Sequence, residues 1–286
     1  MIDQLLYINQ LLYINWNPDP VIFTLGGFSL RWYSFFWIVA IATAAWVVNR
    51  IFKDKGLTED DYNRLFVYTF LGIFIGARLG HCLFYDFAYY SDHLLEIVLP
   101  VRFLPDGSWK FTGYAGLASH GGTMGLMLTL YLFCRKTKIT YLQILDIIAV
   151  SAPLAAGFIR IANLMNSEII GMPSTLPWAF VFEQVDSVPR HPAQLYEAIA
   201  YFIIFVAIWI MYKKVKAYRD GLFFGFCIFT IFTFRFFVEF IKERQVDFEN
   251  SMMIDMGQVL SIPFVLLGLY FIIRSFKGNK VSTGVR

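Results

Sequence analysis

The chain carries polar side chains suited to anion binding at the end of an apolar segment. That segment leads into 157–171, whose polar residues are Arg160, Asn163, Asn166, Ser167 and Glu168. In hydrocarbon a central arginine costs about 2.5–3.5 kcal/mol unless it is paired or faces a wet cavity. At about 100° per residue, Arg160, Asn163 and Ser167 share one helix face. We therefore expect a hydrated functional stripe; the alternative, a polar contact that only joins helices, suits an arginine poorly.

Other positions fit the same chemistry. His120 lies between Ser119 and two glycines, whose small size leaves room for a substrate, although a lone histidine is more often structural. Arg235 precedes Glu239 by four residues, and an intrahelical pair explains this only in part because Arg before Glu is the weaker order. Tyr33 suits either an aromatic belt or a phosphate contact.

Two more candidates lie at the edges of predicted spans. Arg78 either pairs with a nearby carboxylate or lines a cavity. His191 is placed by flanking prolines at the mouth of the fifth predicted span. Arginine suits phosphate through its planar fork of donors, and histidine suits proton transfer near neutral pH. Together these residues predict a cleft for an anionic phospholipid.

Composition predicts the elements that must hold these residues. The chain is 58% apolar and only 16% charged, whereas a soluble domain is about 25% charged. A span requires about 20 mostly apolar residues. We predict an all-α integral membrane protein, a single polytopic domain over 1–286, with seven spans near 24–48, 65–85, 113–134, 142–164, 193–212, 221–241 and 254–273. No signal peptide is evident.

Charge predicts the orientation. With loops assigned alternately, 15 of the 24 Lys and Arg residues fall on one side and five on the other, and four lie within spans. Basic loops stay cytoplasmic, so the N-terminus is expected outside and the tail 274–286 inside. Loops 86–112 and 165–192 face outward, and the mixed-charge loop 242–253 is expected to be solvated. Residues 1–23 contain a repeated Leu-Leu-Tyr-Ile-Asn and are expected at the outer interface.

Several local features carry structural predictions. Asp106-Gly107 within 86–112 is typical of a turn, so this loop is expected to form a hairpin or flap outside the membrane. Gly72, Gly76 and Gly80 predict close helix packing. Cys82, Cys134 and Cys227 lack metal-ligand spacing and are interpreted as buried apolar residues, not disulfides.

Three function classes remain open on residues alone. A lipid-modifying transferase fits the cations and the histidine. A transporter or flippase fits intramembrane charge, but no repeat relates the two halves. An intramembrane protease or acyl hydrolase would use Ser119-His120, although no GxSxG, HExxH, Walker A or GxGxxG motif occurs.

The motifs, taken together and in order along nearly the whole chain, resemble those of the bacterial phosphatidylglycerol–prolipoprotein diacylglyceryl transferase family. They are Arg31-Trp-Tyr33, Gly76-Ala-Arg78-Leu-Gly80, Ser119-His-Gly-Gly122, Arg160-x-x-Asn163-x-x-Asn166-x-Glu168-x-x-Gly171, Pro177-Trp178, His191-Pro-x-Gln194-Leu-Tyr-Glu197, Arg235-Phe-x-x-Glu239 and Met256-Gly-Gln258. One departure is Ile231, where the family usually has a tyrosine.

The resemblance implies that a diacylglyceryl group moves from phosphatidylglycerol to a lipobox cysteine, with release of glycerol phosphate. His120 would act as base for the thiol or as acid for the phosphate, and Arg160 and Arg235 would hold the phosphate. The substrate-binding set would be Tyr33, Arg78, Asn163, Asn166, Glu168, Gly171, His191, Gln194 and Glu239.

The resemblance also implies partners and location. The partners would be phosphatidylglycerol, lipoprotein precursors and membrane lipids, without nucleic acid, metal or cofactor. The protein would function as a monomer in the bacterial cytoplasmic (inner) membrane, as a multi-pass protein whose active site opens towards the extracytoplasmic face.

Overall fold

The chain is built mostly of helices. The computed structural model describes residues 13–104, 106–114, 116–215, 217–243 and 254–277. The helices, in chain order, are α1 (Trp32–Asp54), α2 (Glu59–Phe84), α3 (Phe87–Asp92), α4 (Leu94–Val98), α5 (Ser119–Lys136), α6 (Tyr141–Met165), α7 (Ala193–Lys214), α8 (Leu222–Val238) and α9 (Met256–Phe276). A 3-10 turn over Glu239–Ile241 follows α8.

Six helices in the described ranges are long and apolar enough to cross a membrane. They are α1, α2, α6, α7, α8 with its 3-10 turn, and α9. The chain is therefore an α-helical, multi-pass membrane protein. Of the predicted span 113–134, the part from Ser119 onward lies in α5, so its predicted start was wrong. The helix α5 is outside this group of six because its glycines, His120 and the basic pair at its end make it less apolar.

Strands form three small sheets. β1 (Ile14–Trp16) pairs in parallel with β6 (Phe180–Phe182), which pairs antiparallel with β7 (Pro189–Arg190). β2 (Val21–Leu25) and β3 (Phe28–Arg31) form one hairpin, and β4 (Val101–Phe103) and β5 (Trp109–Phe111) form another.

These hairpins test two of the sequence predictions, one for a turn and one for the start of a span. The β4–β5 hairpin confirms the turn predicted at Asp106-Gly107. The start of the predicted span 24–48 was wrong: 24–31 belongs to the β2–β3 hairpin, and the helix begins at Trp32. A short apolar run has the same composition in a strand as in a helix, so hydropathy alone misplaced this boundary.

The chain consists of two compact units. The first contains the residues up to Ile51 and those from Leu145, and the second contains Phe52–Ile144. In the first unit, Leu164, Ile170, Phe180 and Phe182 form a buried core beside Trp16. The Trp16 indole Nε1 donates to Leu164 O at 2.9 Å, so β1 is fastened to the C-terminal end of α6.

A buried carboxylate from another helix caps the N-terminus of α8 in the same unit. Asp146 of α6 accepts hydrogen bonds from the backbone N–H groups of Gly221 and Phe224, each at 2.8 Å. The first N–H groups of a helix lack intrahelical partners, so a carboxylate from another helix supplies the cap. This contact fixes where α8, the helix of Arg235, begins.

The second unit is organised by close packing of α2 against α5. A Cβ at Gly76 would lie 2.8 Å from Gly125 Cα, and a Cβ at Gly80 would lie 2.7 Å from Gly121 Cα. The glycine stripe predicted for helix packing is therefore confirmed. Thr58 caps α2 by accepting the Asp61 N–H, and three acidic residues occupy its first turn, as the helix dipole favours.

Candidate active site

The polar block begins on α6 and continues into a strained turn. Arg160 and Asn163 lie on α6, which ends at Met165. The prediction that Ser167 shares their helix face was wrong, because Ser167 lies beyond the helix end. Ser167 has φ +54° and Ile169 has φ +57°, a conformation costly for non-glycine residues and especially for a β-branched one. The surrounding contacts must hold this turn.

Side chains of the block hold Glu168 beside the helix end. Asn166 Nδ2 donates to Glu168 Oε1 at 2.6 Å and Asn163 Nδ2 donates to Oε2 at 3.4 Å. Arg160 Nη1 donates to Asn163 Oδ1 at 3.4 Å. The four residues therefore form one chain of polar contacts, in which Asn163 links the guanidinium to the carboxylate.

Gln194 supports the same turn from α7. This residue is fully buried, and its Nε2 donates to Glu168 O at 2.5 Å. The structure therefore gives Gln194 a contact with the protein backbone, and its Oε1 has no hydrogen-bond partner among the residues described.

A buried carboxylate, Glu197, lies at the centre of the charged cluster. Arg160 Nε is 3.1 Å from Glu197 Oε2, and Lys242 Nζ is 3.1 Å from Oε1. The Tyr201 hydroxyl donates to Oε1 at 3.3 Å. Charges removed from water are tolerated when they are paired in this way.

Both predicted arginines lie near the same tyrosine. Tyr201, on the face of α7 that carries Glu197, is within electrostatic range of Arg160 and Arg235, and its ring centre is 6.4 Å from that of Phe234, the chain neighbour of Arg235. Arg235 occupies the last turn of α8. The two cations singled out by sequence therefore lie in the same region of the first unit, although they are 75 positions apart in the chain.

The loop after α8 differs from its prediction. Lys242 is 6% exposed, and its Nζ also contacts Glu239 Oε2 at 3.3 Å. The expectation of a solvated loop was therefore wrong for Lys242, and residues 244–253 lie outside the described part of the chain. Among the described residues, the ion partner of Glu239 is Lys242 and not Arg235. The intrahelical pair therefore does not account for Arg235.

Several buried polar atoms in this cluster lack hydrogen bonds. Arg235 Nε and Ser167 Oγ have no hydrogen-bond partner within the part of the chain that the structure describes. Glu197 Oε2 accepts no aligned hydrogen bond, although Arg160 Nε is close enough for an ion pair. Charge attraction survives poor angles better than a hydrogen bond does, so we treat this contact as ionic. Buried polar groups are normally satisfied, and unpartnered donors suit a ligand that brings acceptors.

Gly171 lies where three segments meet. Its N–H donates to His191 O at 2.9 Å, and Met172 N–H donates to Ile241 O at 2.8 Å. A Cβ at Gly171 would lie 2.5 Å from His191 Cβ and 2.8 Å from Ile241 O. Close backbone approach therefore requires this glycine.

Arg190 fastens the same region by charge. Its Nη2 pairs with Asp186 Oδ2 at 2.6 Å and its Nη1 with Glu243 Oε1 at 3.1 Å. The hydrogen bond from the Arg190 guanidinium lowers the pKa of Asp186. Burial lowers the pKa of the neighbouring His191, whose Nδ1 lies 3.4 Å from the Tyr196 hydroxyl.

The second unit contains two of the predicted site residues. Arg78 is buried and donates to the backbone carbonyls of Glu96, Ile97 and Gly116. Its guanidinium also lies 4.9 Å from the centre of the Tyr90 ring. Arg78 thus joins α2 to the segment that follows it. His120 is exposed in the first turn of α5.

Tyr33 lies in the first turn of α1, in the first unit. Its ring centre is 6.3 Å from that of Trp37. The aromatic surroundings agree with the belt interpretation, and the phosphate contact remains a prediction.

Comparison with known proteins decides the family. The prolipoprotein diacylglyceryl transferase family model matches residues 20–274. The chain belongs to this family. It is 59% identical over 275 residues to the phosphatidylglycerol–prolipoprotein diacylglyceryl transferase of Bacteroides fragilis, covering 96% of this chain and 99% of that protein. It is also 40% identical to the protein of the same name from Chloroherpeton thalassium, over 93% of this chain and 95% of that protein.

A third relative extends this similarity. The Tolumonas auensis phosphatidylglycerol–prolipoprotein diacylglyceryl transferase is 36% identical over 92% of this chain and 97% of that protein. Membership of a transferase family is incompatible with the transporter and protease hypotheses as descriptions of the main activity. Identity at this level over nearly the full length confirms the family predicted from the motifs.

Three members of the charged cluster were not predicted as site residues: Glu197, which only ended one of the quoted motifs, Tyr201 and Lys242. A carboxylate within a predicted span is itself a functional signal, so Glu197 could have been singled out. Tyr201 follows it by four residues, on the same helix face. Lys242 stands among other charged residues, and nothing in its spacing separates it from them.

Proposed function

We propose that the chain transfers the diacylglyceryl group of phosphatidylglycerol to the thiol of a lipobox cysteine in a lipoprotein precursor, the first step of lipoprotein maturation. The thiol sulfur attacks the carbon of the diacylglyceryl group that is bonded to the phosphate oxygen. A carbon–sulfur bond forms, the carbon–oxygen bond to phosphate breaks, and glycerol phosphate leaves. The thiol loses its proton, and the product is a thioether.

The observation that carries this proposal is that Arg160 and Arg235 both lie within electrostatic range of Tyr201, while Arg235 Nε is buried and has no hydrogen-bond partner among the described residues. A phosphodiester supplies anionic acceptors for such donors. Negative charge grows on the departing phosphate in the transition state, where fixed cations stabilise it most. Asn163, Asn166 and Glu168 orient Arg160 through their chain of contacts.

The proton of the thiol requires an acceptor. The thiolate is the reactive form of a cysteine, and His120 is our candidate to take the proton as general base or to give one to the leaving phosphate. The imidazole is exposed at the start of α5, while the neighbouring Gly121 packs against the backbone of α2. Tyr33 is our candidate for a further hydrogen bond to the headgroup.

The remaining substrate-binding candidates have roles that fit their contacts. Gly171, His191 and Gln194 shape the loop beside Glu168, and Glu239 sets the position of Lys242. Arg78 acts through the segment that it holds against α2. Metal and cofactor play no part in this proposal.

The proposed topology completes the account. Seven helices cross the bacterial inner membrane, with α5 as the seventh beside the six apolar helices. The N-terminus and the arm 86–112 lie outside, residues 1–23 follow the outer interface, and the tail 274–286 is cytoplasmic. The site opens towards the extracytoplasmic face, as the asymmetry of basic loops favours. The protein functions as a monomer.

Mass spectrometry of a lipobox peptide incubated with this protein and phosphatidylglycerol tests the reaction. We expect a mass increase equal to one diacylglyceryl group on the cysteine and an equimolar yield of glycerol phosphate. A peptide with serine in place of the cysteine should stay unmodified. Movement of lipid across vesicles without any peptide product would instead support a flippase and would refute the transferase.

A further inference from the structure

The buried contacts of Lys242 point to a role in setting how Arg160 is presented. Lys242 Nζ lies between two carboxylates, 3.1 Å from Glu197 Oε1 and 3.3 Å from Glu239 Oε2. Glu197 is fully buried and also accepts the Tyr201 hydroxyl on Oε1. One oxygen of Glu197 is therefore occupied by Lys242 and Tyr201, which leaves Oε2 to face Arg160.

Because the two oxygens of Glu197 have different partners, the carboxylate contacts only one part of the Arg160 guanidinium. Glu197 Oε2 meets the guanidinium at Nε, at 3.1 Å, without an aligned hydrogen bond. Nη1 makes a long contact to Asn163, at 3.4 Å, and the guanidinium also interacts with the Tyr201 hydroxyl. Arginine prefers to bind a free carboxylate through two parallel hydrogen bonds. With Lys242 holding Oε1, that bidentate pair does not form, and the terminal nitrogens are not committed to Glu197.

The backbone of Lys242 fixes its position independently of its charge. Lys242 forms an antiparallel bridge with Gly171, and Glu243 N–H donates to Ile170 O at 3.2 Å. The carboxylate of Glu239 in turn lies against Gly257 in the first turn of α9, where a helix favours negative charge. The backbone bridge to Gly171 and the ion pairs with Glu197 and Glu239 thus hold Lys242 in place.

We propose that Lys242 is a positioning residue of the transfer reaction: by occupying Glu197, it keeps the guanidinium of Arg160 free to bind the phosphate of the lipid donor. This inference rests on the proposed function. Without the lysine, both oxygens of Glu197 would bind the guanidinium of Arg160. Glu197 would then compete with the lipid phosphate for this guanidinium. The defect would therefore concern the lipid substrate and not the peptide.

Steady-state kinetics with both substrates varied separately test this inference. The Lys242→Met variant should raise KM for phosphatidylglycerol at least about tenfold, the effect of losing one charge-assisted contact. Its KM for the lipobox peptide should stay within about twofold of wild type, because no peptide group is involved. Lys242→Arg should restore the lipid KM, and the control Lys277→Met, at an exposed site, should match wild type.

A double variant separates positioning from folding. In Lys242→Met with Glu197→Gln, the carboxylate at position 197 no longer competes for Arg160, so the lipid KM should be lower than in Lys242→Met alone. Such non-additivity is the signature of coupled residues. Equal increases in both KM values, an additive double variant, or an unchanged lipid KM in Lys242→Met would overturn the inference. If Lys242→Met does not fold, an elevated lipid KM in Lys242→Arg would overturn it as well. An inactive wild-type protein would instead refute the proposed function.

Discussion

Individual side chains of this protein divide into those that hold one another and those left open for a substrate. Arg160 is tied to Asn163 and Glu197 yet remains partly accessible, with 16% of its side chain exposed. Partial access is what an anion-binding arginine needs, because full burial would exclude the ligand and full exposure would weaken its charge through screening. Neighbouring residues therefore have different tasks in this site.

His120 and Ser119 provide a direct comparison at this scale. His120→Ala should reduce thioether formation by at least about 100-fold, the usual contribution of a general acid or base. Ser119→Ala should keep most of the activity, because the nucleophile belongs to the peptide. The measurement is the initial rate of lipid attachment to a lipobox peptide. Loss of activity in Ser119→Ala with retention in His120→Ala would support a serine nucleophile and contradict the assignment.

His191 should make stability depend on pH. Burial lowers its pKa, so the folded state binds a proton more weakly than the unfolded chain, whose histidine titrates near 6.5. Stability therefore falls as the pH drops through about 6.5 towards the folded value. We expect the melting temperature in detergent to decrease between pH 7.5 and 5.5 by more in wild type than in His191→Asn. Equal decreases would exclude His191 as the cause.

Sequence predicted local partners better than distant ones. The polar block placed Asn163 and Glu168 near Arg160 because they are within one or two turns along the chain. The contact between Lys242 and Glu197 joins residues 45 positions apart, and no periodicity encodes it. The turn that moved Ser167 off the helix face depends on Gln194 from another helix, so it too required the tertiary structure.

Among whole elements, glycines determine how closely the helices of the second unit approach. Gly76 faces the backbone of α5, whereas a Cβ at Gly122 would be 3.4 Å from its nearest neighbour, Ile73 O. The first position cannot accept a methyl group without movement of a helix, and the second can.

These two glycines make a matched test. Gly76→Ala should lower the free energy of unfolding by about 1–3 kcal/mol, the usual cost of overpacking. Gly122→Ala should leave it within about 0.5 kcal/mol of wild type or raise it slightly, since alanine favours helix. Thermal unfolding in detergent followed by circular dichroism measures both. Equal stability of the two variants would show that the α2–α5 contact is looser than the structure indicates.

The elements also show which patterns a sequence reports reliably. The hairpin around Asp106-Gly107 has a turn signature and was predicted correctly. The β2–β3 hairpin has an apolar composition next to a true span, so its strands were assigned to the helix. The charged segment that contains Lys242 gave no signal for the burial of this lysine, because its charges resemble those of an ordinary loop.

At the scale of the whole molecule, the orientation in the membrane has a simple test. Single cysteines replace Ser108 and Lys138, both exposed, in a background in which Cys82, Cys134 and Cys227 are alanine. Our topology places 108 outside and 138 inside. A membrane-impermeant maleimide should label Ser108→Cys in intact spheroplasts and label Lys138→Cys only after permeabilisation. The reverse pattern would contradict the topology derived from basic loops.

The central claim is that Arg160 holds the phosphate of the lipid donor while a thiol displaces it. The most direct measurement is quantitative mass spectrometry of thioether formation on a lipobox peptide with saturating phosphatidylglycerol, comparing wild type with Arg160→Gln and with the exposed control Arg50→Gln. We predict that Arg160→Gln loses at least about 100-fold in rate, the usual cost of removing a charge stabiliser of the transition state, and that Arg50→Gln keeps the wild-type rate. Full activity in a folded Arg160→Gln protein would contradict the account.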